Sequence, residues 1–201
     1  MNPKALAHFK KVDPKIYKVA NSIEDFQDLP NRHGDDYFVD LVDAIVSQQL
    51  SGKAASTIFG RFKKLFKGDK ISPPAVLKLT DKKMRAAGMS YSKIRYIKDL
   101  AHKVVSHEIN LKKLDKLTDS EIIEELILVK GIGKWTAEMF LIFTLKRPDV
   151  FSHGDLGLNN AIKKIYRLND YSMLKVENIV SKWSPYKSMA SRILWHSLDN
   201  R

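Results

Sequence analysis

Apolar residues recur at intervals of three and four along most of the chain, and no stretch alternates with the period of two that marks a strand. Between residues 36 and 50, Phe38, Leu41, Val42, Ile45, Val46 and Leu50 fall on one face of a helix. Ser51 caps the next, Lys53 to Leu65, with Ala54, Ala55, Ile58, Phe62 and Leu65 inward. Pro73-Pro74 precedes two short helices, PAVLKL and DKKMRAA, and Gly88 ends the second. Ser90 then caps the helix KIRYIKDLAHKVVSH, whose inner stripe is Ile94, Ile97, Leu100, Ala101, Val104 and Val105. Residues 109–117 connect it to the next helix. There Thr118 with Glu121 forms a capping-box pattern ahead of Ile122, Ile123, Leu126 and Ile127.

After the reversal Val129-Lys130-Gly131-Ile132-Gly133-Lys134, a very apolar helix runs from Trp135 to about Leu145, where Lys146-Arg147-Pro148 stops it. Ser152-His153-Gly154-Asp155 opens another helix. A further one spans Tyr171 to Ser181, with Met173, Leu174, Val176, Ile179 and Val180 inward. Near the C-terminus Ser184 reads as an N-cap with Pro185 at the first helical position, and Met189, Ile193, Leu194 and Leu198 point inward. Residues 1–35 are mixed. Met1 to Val12 starts a helix, IYKVANSIEDF reads as another, and Pro14, Pro30, Asn31 and Gly34 break the pattern. The fold class is all-α, with about ten helices. Residues 1–201 read as a single domain of two subdomains, with residues 1–35 as a packing segment and a hairpin at about 120–145.

Composition narrows the chemistry. A hydrophobic content of 44% supports a packed core, and a net charge of +12 suits a polyanionic partner. The absence of cysteine removes disulfides, zinc–cysteine sites and iron–sulfur clusters. No segment has the length and apolarity to span a membrane, and MNPKALAHFKKVDPK lacks the apolar core of a signal peptide. These features point to an intracellular protein, cytoplasmic or in the nucleoid if the source is bacterial. RFKKLFKGDK reads as a solvated basic face over two core phenylalanines. His102 and His107 are not spaced to share a helix face as metal ligands.

The reversal carries the functional signal. Taken alone, Gly-x-Gly between two helices is most simply a tight turn that needs positive φ. It also leaves backbone amides and a helix N-terminus able to hold a phosphate without reading a base. The ordered set LxxGIGxxTA, followed by an acidic residue after the second helix, is more specific. It resembles the helix-hairpin-helix DNA glycosylase superfamily. Within it, GIGKWTAEMF and DVFSHGDLGL are similar to the 3-methyladenine DNA glycosylase II family. The resemblance covers roughly Asp36 to Ser197.

That resemblance implies two helical lobes with the hairpin and an aspartate at the cleft between them. It implies an enzyme of base excision repair acting on double-stranded DNA that contains alkylated bases, as a monomer and away from membranes. Asp155 takes the place of the catalytic aspartate. From local sequence it also reads as an N-cap for LGLNNAIKKIY, and Asp149 is the rival carboxylate. Trp135, Met139 and Tyr186 match base-pocket positions, although Tyr186 stands where the best-known relatives have tryptophan and Met139 where they have tyrosine. By position alone Trp135 reads equally as a core tryptophan.

IVSQQLSGKAA matches the segment that enters the minor groove, with Gln48 beside it and Gln49 or Leu50 as the plug for the vacated stack. GMSYSKIRYIKDLA matches a segment whose role is mainly architectural. The amides of Gly131, Gly133 and Trp135 would take the phosphate, next to Lys134. Strand-cutting relatives have a lysine nucleophile where Trp135 stands, so the implied enzyme is monofunctional and leaves an abasic site. No cofactor is required, though the carbonyls of Ile127, Val129 and Ile132 match a site for structural Na+ or K+. Two other readings stay open: a non-catalytic helix-hairpin-helix DNA-binding module, which needs neither Asp155 nor pocket aromatics, and a relative acting on oxidised guanine, which needs the missing lysine.

Overall fold

A computed structural model describes residues 1–27, 29, 36–169 and 172–199, among which there are twelve α-helices and no strand. Of the sequence-based expectations, the turn residues Pro30, Asn31 and Gly34 and the helix start at Tyr171 lie outside the described residues. The chain divides into two compact units, Met1–Pro30 with Leu141–Arg201, and Asn31–Phe140.

The first unit begins with α1 (Pro3–Val12) and α2 (Pro14–Asn21). Pro14 starts a helix here instead of breaking one, because Asp13 caps α2 and proline is preorganised for the first helical position. Asp13 is buried and joins several elements. Its amide closes α1 on Phe9 O, its Oδ1 accepts the amides of Lys15 and Ile16, and its Oδ2 accepts Tyr166 Oη at 2.5 Å and Trp183 Nε1 at 2.9 Å. A buried carboxylate is tolerable only with donors of this kind around it. Trp183 is fully buried and packs with Phe9, Ile16, Leu158, Ile162 and Ile193 in the unit's core.

The second unit holds α3 (Tyr37–Ser47), α4 (Gly52–Lys63), α5 (Pro73–Leu77), α6 (Asp81–Ala86), α7 (Tyr91–Val105), α8 (Asp119–Leu126) and most of α9 (Lys134–Phe143). α7 packs against α3, α5 and α6, burying Ile94, Ile97, Leu100 and Ala101 as the stripe predicts. The stripe fades in the last turn, where Val104 is half-buried and Val105 is exposed. In α4 the buried ring Phe59 joins Phe62, while Phe62 and Phe66 meet edge to face at 4.9 Å. α3 ends at Ser47, so Leu50 lies beyond the helix and is partly exposed.

The first unit closes with α10 (Leu156–Tyr166), α11 (Met173–Val180) and α12 (Lys187–Asp199). In α11 Val176 and Val180 are buried, but Met173 and Leu174 are exposed: the buried stripe begins one turn into the helix. The expected cap at Ser184 also shifts. Helical geometry starts only at Lys187, whose amide is taken by Asp149 Oδ1 at 3.2 Å, and Ser184 Oγ donates to Asp149 Oδ2 at 2.6 Å. Asp149 therefore stands at the N-terminus of α12, where a carboxylate is favoured.

Candidate functional site

The hairpin between α8 and α9 is built from its ends inward. The capping box forms as expected: Glu121 N donates to Thr118 Oγ1, and Thr118 N donates to Glu121 Oε2 at 2.7 Å. Those donors, the Thr118 amide first and its hydroxyl second, hold the Glu121 carboxyl below the usual carboxylate range. Val129 and Ile132 are buried and pin the turn from beneath. The two glycines differ. Gly131 has φ +82°, and a Cβ on it would fall 2.1 Å from the Tyr96 ring. Gly133 has no left-handed φ, and a Cβ there would meet nothing within 4 Å. Gly131 is thus glycine for an internal reason, whereas Gly133 keeps an outward surface bare.

Lys134 is largely exposed one turn from the buried Glu138, with Nζ 3.9 Å from Oε1. Trp135 is 48% exposed, so the core reading of this tryptophan does not hold; Met139, one turn on, is half-buried. Ile127 is exposed, as is its neighbour Leu128, because α8 has ended at Leu126 and the chain is already turning. Among the three carbonyls matched to an ion, Val129 O accepts Ile132 N at 3.0 Å.

The segment after α3 lies against this hairpin. Gln48 Nε2 donates to Gly131 O at 2.9 Å, while Gln49, at φ +56°, and Leu50 face outward. Lys93 Nζ donates to Val46 O at 2.7 Å and to Gln48 O at 2.8 Å, at the carbonyl end of α3 where a cation is favoured. Desolvation holds the Lys93 ammonium below the ordinary lysine range.

In the first unit, Asp155 is 8% exposed and caps α10. Its Oδ1 accepts Leu158 N at 2.8 Å and Trp195 Nε1 at 3.1 Å. Trp195, on α12, stacks on Phe143 with ring centroids 5.5 Å apart and 28° between planes. Gly157 is closely flanked: a Cβ would lie 3.1 Å from Asp155 Oδ1 and 3.3 Å from the indole, so either would have to give by a few tenths of an ångström. Tyr186 is half-buried, met edge-on by His8 at 5.5 Å and by Phe9 at 6.4 Å. His153 Nε2 lies 3.0 Å from Glu177 Oε2.

The structure thus brings Gln48 together with Gly131, and Asp155 together with Trp195. Trp195, Phe143, His8, Tyr96, Lys93 and Asp99 all shape these places, and sequence reasoning had given none of them a role in the site. The only available signal was the GMSYSKIRYIKDLA match, which contains Lys93, Tyr96 and Asp99.

A bare glycine turn between two helices, on a strongly basic chain whose described residues form helices and no strand, is a helix-hairpin-helix arrangement. A family model described as HhH-GPD superfamily base excision DNA repair protein matches residues 42–185, and the chain belongs to that superfamily. It is 32% identical over 198 residues to DNA-3-methyladenine glycosylase 1 of Schizosaccharomyces pombe, covering 96% of this chain and 86% of that protein. Among solved structures, the 3-methyladenine DNA glycosylase of S. pombe in complex with abasic DNA superposes with a TM-score of 0.85 at 30% identity, covering 98% of this chain and 97% of that one. The DNA-3-methyladenine glycosidase of Bacillus halodurans gives a TM-score of 0.85 at 34% identity, covering 99% and 90%.

Proposed function

We propose that this chain is a monofunctional DNA glycosylase that hydrolyses the N-glycosidic bond of alkylated purines, 3-methyladenine and similar bases, in double-stranded DNA. Membership of a base excision repair superfamily, and similarity to proteins named as 3-methyladenine glycosylases, support the activity. The observation that carries it to particular atoms is the Asp155 carboxylate, buried and oriented by Trp195 and Leu158. A non-catalytic binding module would need this carboxylate only as the cap of α10, and the bond from Trp195 goes beyond capping.

In the reaction the bond from C1′ to the purine breaks, and the base leaves with its electron pair. A ring that is already cationic departs as a neutral base, so no acid is needed to protonate it. C1′ gains oxocarbenium character, which the fixed charge of Asp155 stabilises. Water then supplies hydroxyl to C1′ and its other proton passes to solvent, leaving an abasic site. Asp155 is oriented before reaction, so little reorganisation is required when the charge develops. The target base must leave the stack to reach it. Gln49 or Leu50 fills the vacated space, and the resemblance makes Trp135, Met139 and Tyr186 the residues that meet the base, where aromatic faces favour a cationic ring by about 0.5–2 kcal/mol.

The amides at Gly131, Gly133 and Trp135, with Lys134 nearby, take a backbone phosphate. The carbonyls of Ile127, Val129 and Ile132 are hard oxygen donors of the type that suits Na+ or K+, and Val129 O retains a second lone pair beyond its bond to Ile132. With such an ion bound, the hairpin gains positive charge near the phosphate. No step of the hydrolysis depends on it.

Incubation with methylated duplex DNA, followed by identification of released bases, tests the reading. Free 3-methyladenine and an abasic strand that stays intact until treated with alkali are expected. Duplex binding without base release would establish the binding-module alternative. Capture of the protein on DNA by borohydride would overturn the monofunctional assignment, since reduction traps only an amine adduct.

A further inference from the structure

One face of α7 holds both parts of the second unit that are assigned to DNA. Lys93, Tyr96 and Asp99 follow one another at intervals of three and so lie along one side of the helix. Lys93 reaches the carbonyls of Val46 and Gln48, at the base of the outward loop. Tyr96 fills the space beneath Gly131 that a Cβ would need. Asp99 Oδ2 accepts the Lys130 amide at 2.9 Å, and Asp99 Oδ1 lies 3.7 Å from Lys130 Nζ. The Gln48 carboxamide closes the circuit by donating to Gly131 O. Loop and hairpin are therefore fastened to each other and each to α7. The ammonium satisfies carbonyls at the end of α3, and because it stands on the helix that also carries Tyr96 and Asp99, it ties that end to the hairpin.

We propose that Lys93 is a positioning residue that couples the two DNA-contacting parts. With Gln48 it makes the Gln49–Leu50 loop and the hairpin one rigid piece, so that seating the hairpin on a phosphate fixes how deeply the loop enters the duplex. The proposal rests on the glycosylase reading above. It assigns Lys93 no contact with DNA. The coupling matters where a base pair must be broken and its place filled, and is dispensable where the target base has no partner, because the loop then has no stacked space to hold open.

Lys93→Met keeps the length and apolar stem and removes both hydrogen bonds. Single-turnover base release should be measured on a fully paired duplex and on the same alkylated nucleotide in a one-base bulge, alongside affinity for undamaged duplex. The expected result is at least about a tenfold loss on the paired substrate, given the worth of charge-assisted hydrogen bonds, with release from the bulge held within about threefold. Affinity for undamaged duplex should change little, and Lys93→Arg should restore part of the lost rate. Should Lys93→Met fail to fold, Lys93→Gln, which keeps a neutral donor, carries the same comparison. Equal loss on both substrates, no loss on either, or a matching loss of undamaged-duplex affinity would overturn the coupling. Absence of base release by the unaltered protein is a separate failure: it removes the activity itself, and the proposal with it.

Discussion

Trp195 Nε1 and the Leu158 amide donate to the same oxygen of Asp155, at 3.1 and 2.8 Å. One donor comes from the helix that Asp155 caps and the other from a side chain forty positions later in sequence. Two donors from different elements fix the plane of a carboxylate more firmly than a cap alone. Phe143 stacked on the indole, and the bare backbone at Gly157, keep that geometry in place.

Trp195→Phe retains an aromatic ring against Phe143 and removes the N–H. Loss of a hydrogen bond to a charged group costs about 1.5–3 kcal/mol, so single-turnover release should slow on the order of ten- to a hundredfold with undamaged-duplex affinity unchanged. A rate within twofold of the unaltered protein would show that the cap suffices to orient Asp155.

Asp155→Asn separates capping from catalysis. Asparagine caps as well as aspartate, and its carbonyl oxygen can accept from both Leu158 and Trp195, so thermal melting should hold. Loss of the fixed charge should lower release by about 10²–10³, roughly 2.7–4 kcal/mol, with duplex binding kept or tightened. Near-normal release by a normally folded variant would move attention to Glu138 or Asp149, though Asp149 already caps α12.

The hairpin glycines should fail in different ways. Gly131→Ala meets both a left-handed φ and the Tyr96 ring, so it should destabilise the fold by about 1–3 kcal/mol or more, read by urea unfolding. Gly133→Asp has room within the chain and should fold normally. It should weaken binding to damaged and undamaged duplexes alike, with a smaller dependence on salt, because phosphate contacts carry no base information. Unchanged affinity in Gly133→Asp would remove the hairpin from the interface.

Stability should fall in alkali through Tyr166. Burial first, and then the hydrogen bond and charge of Asp13, hold its phenol well above the ordinary range. The stabilisation is complete below the unfolded value of about 10 and declines as pH rises past it, since the unfolded chain ionises while the folded one does not. Tyr166→Phe should flatten this decline and cost about 1.5–3 kcal/mol at neutral pH. Denaturant unfolding at pH 8 and pH 11 gives both readings, and an unaltered alkaline slope in the variant would assign the decline elsewhere.

Local rules were legible in the sequence. The Thr118–Glu121 box, the caps at Ser51 and Ser90, and the buried stripe of α7 depend on residues within one or two turns. The misses involve distant partners. Met173 and Leu174 have helical spacing but no neighbour among the described residues buries them, and periodicity does not say where a neighbour begins. Ser184 has the right chemistry for a cap, yet its hydroxyl is drawn to Asp149 from thirty-five positions away. Asp155 could be singled out by the resemblance of DVFSHGDLGL to its family, whereas Trp195 could not: its hydrogen bond exists only once α10 and α12 pack together.

The three indoles lie at three depths. Trp183 is fully buried, Trp195 is half-buried against a carboxylate, and Trp135 is nearly half exposed beside the hairpin. The protein therefore carries its own optical labels. A soluble quencher should reach Trp135 first and Trp183 only on unfolding, so DNA that covers the hairpin should protect one emission component and leave another unchanged. Substituting each indole by phenylalanine in turn would assign the components, and ligand docking could then be timed separately from loss of structure on unmodified protein.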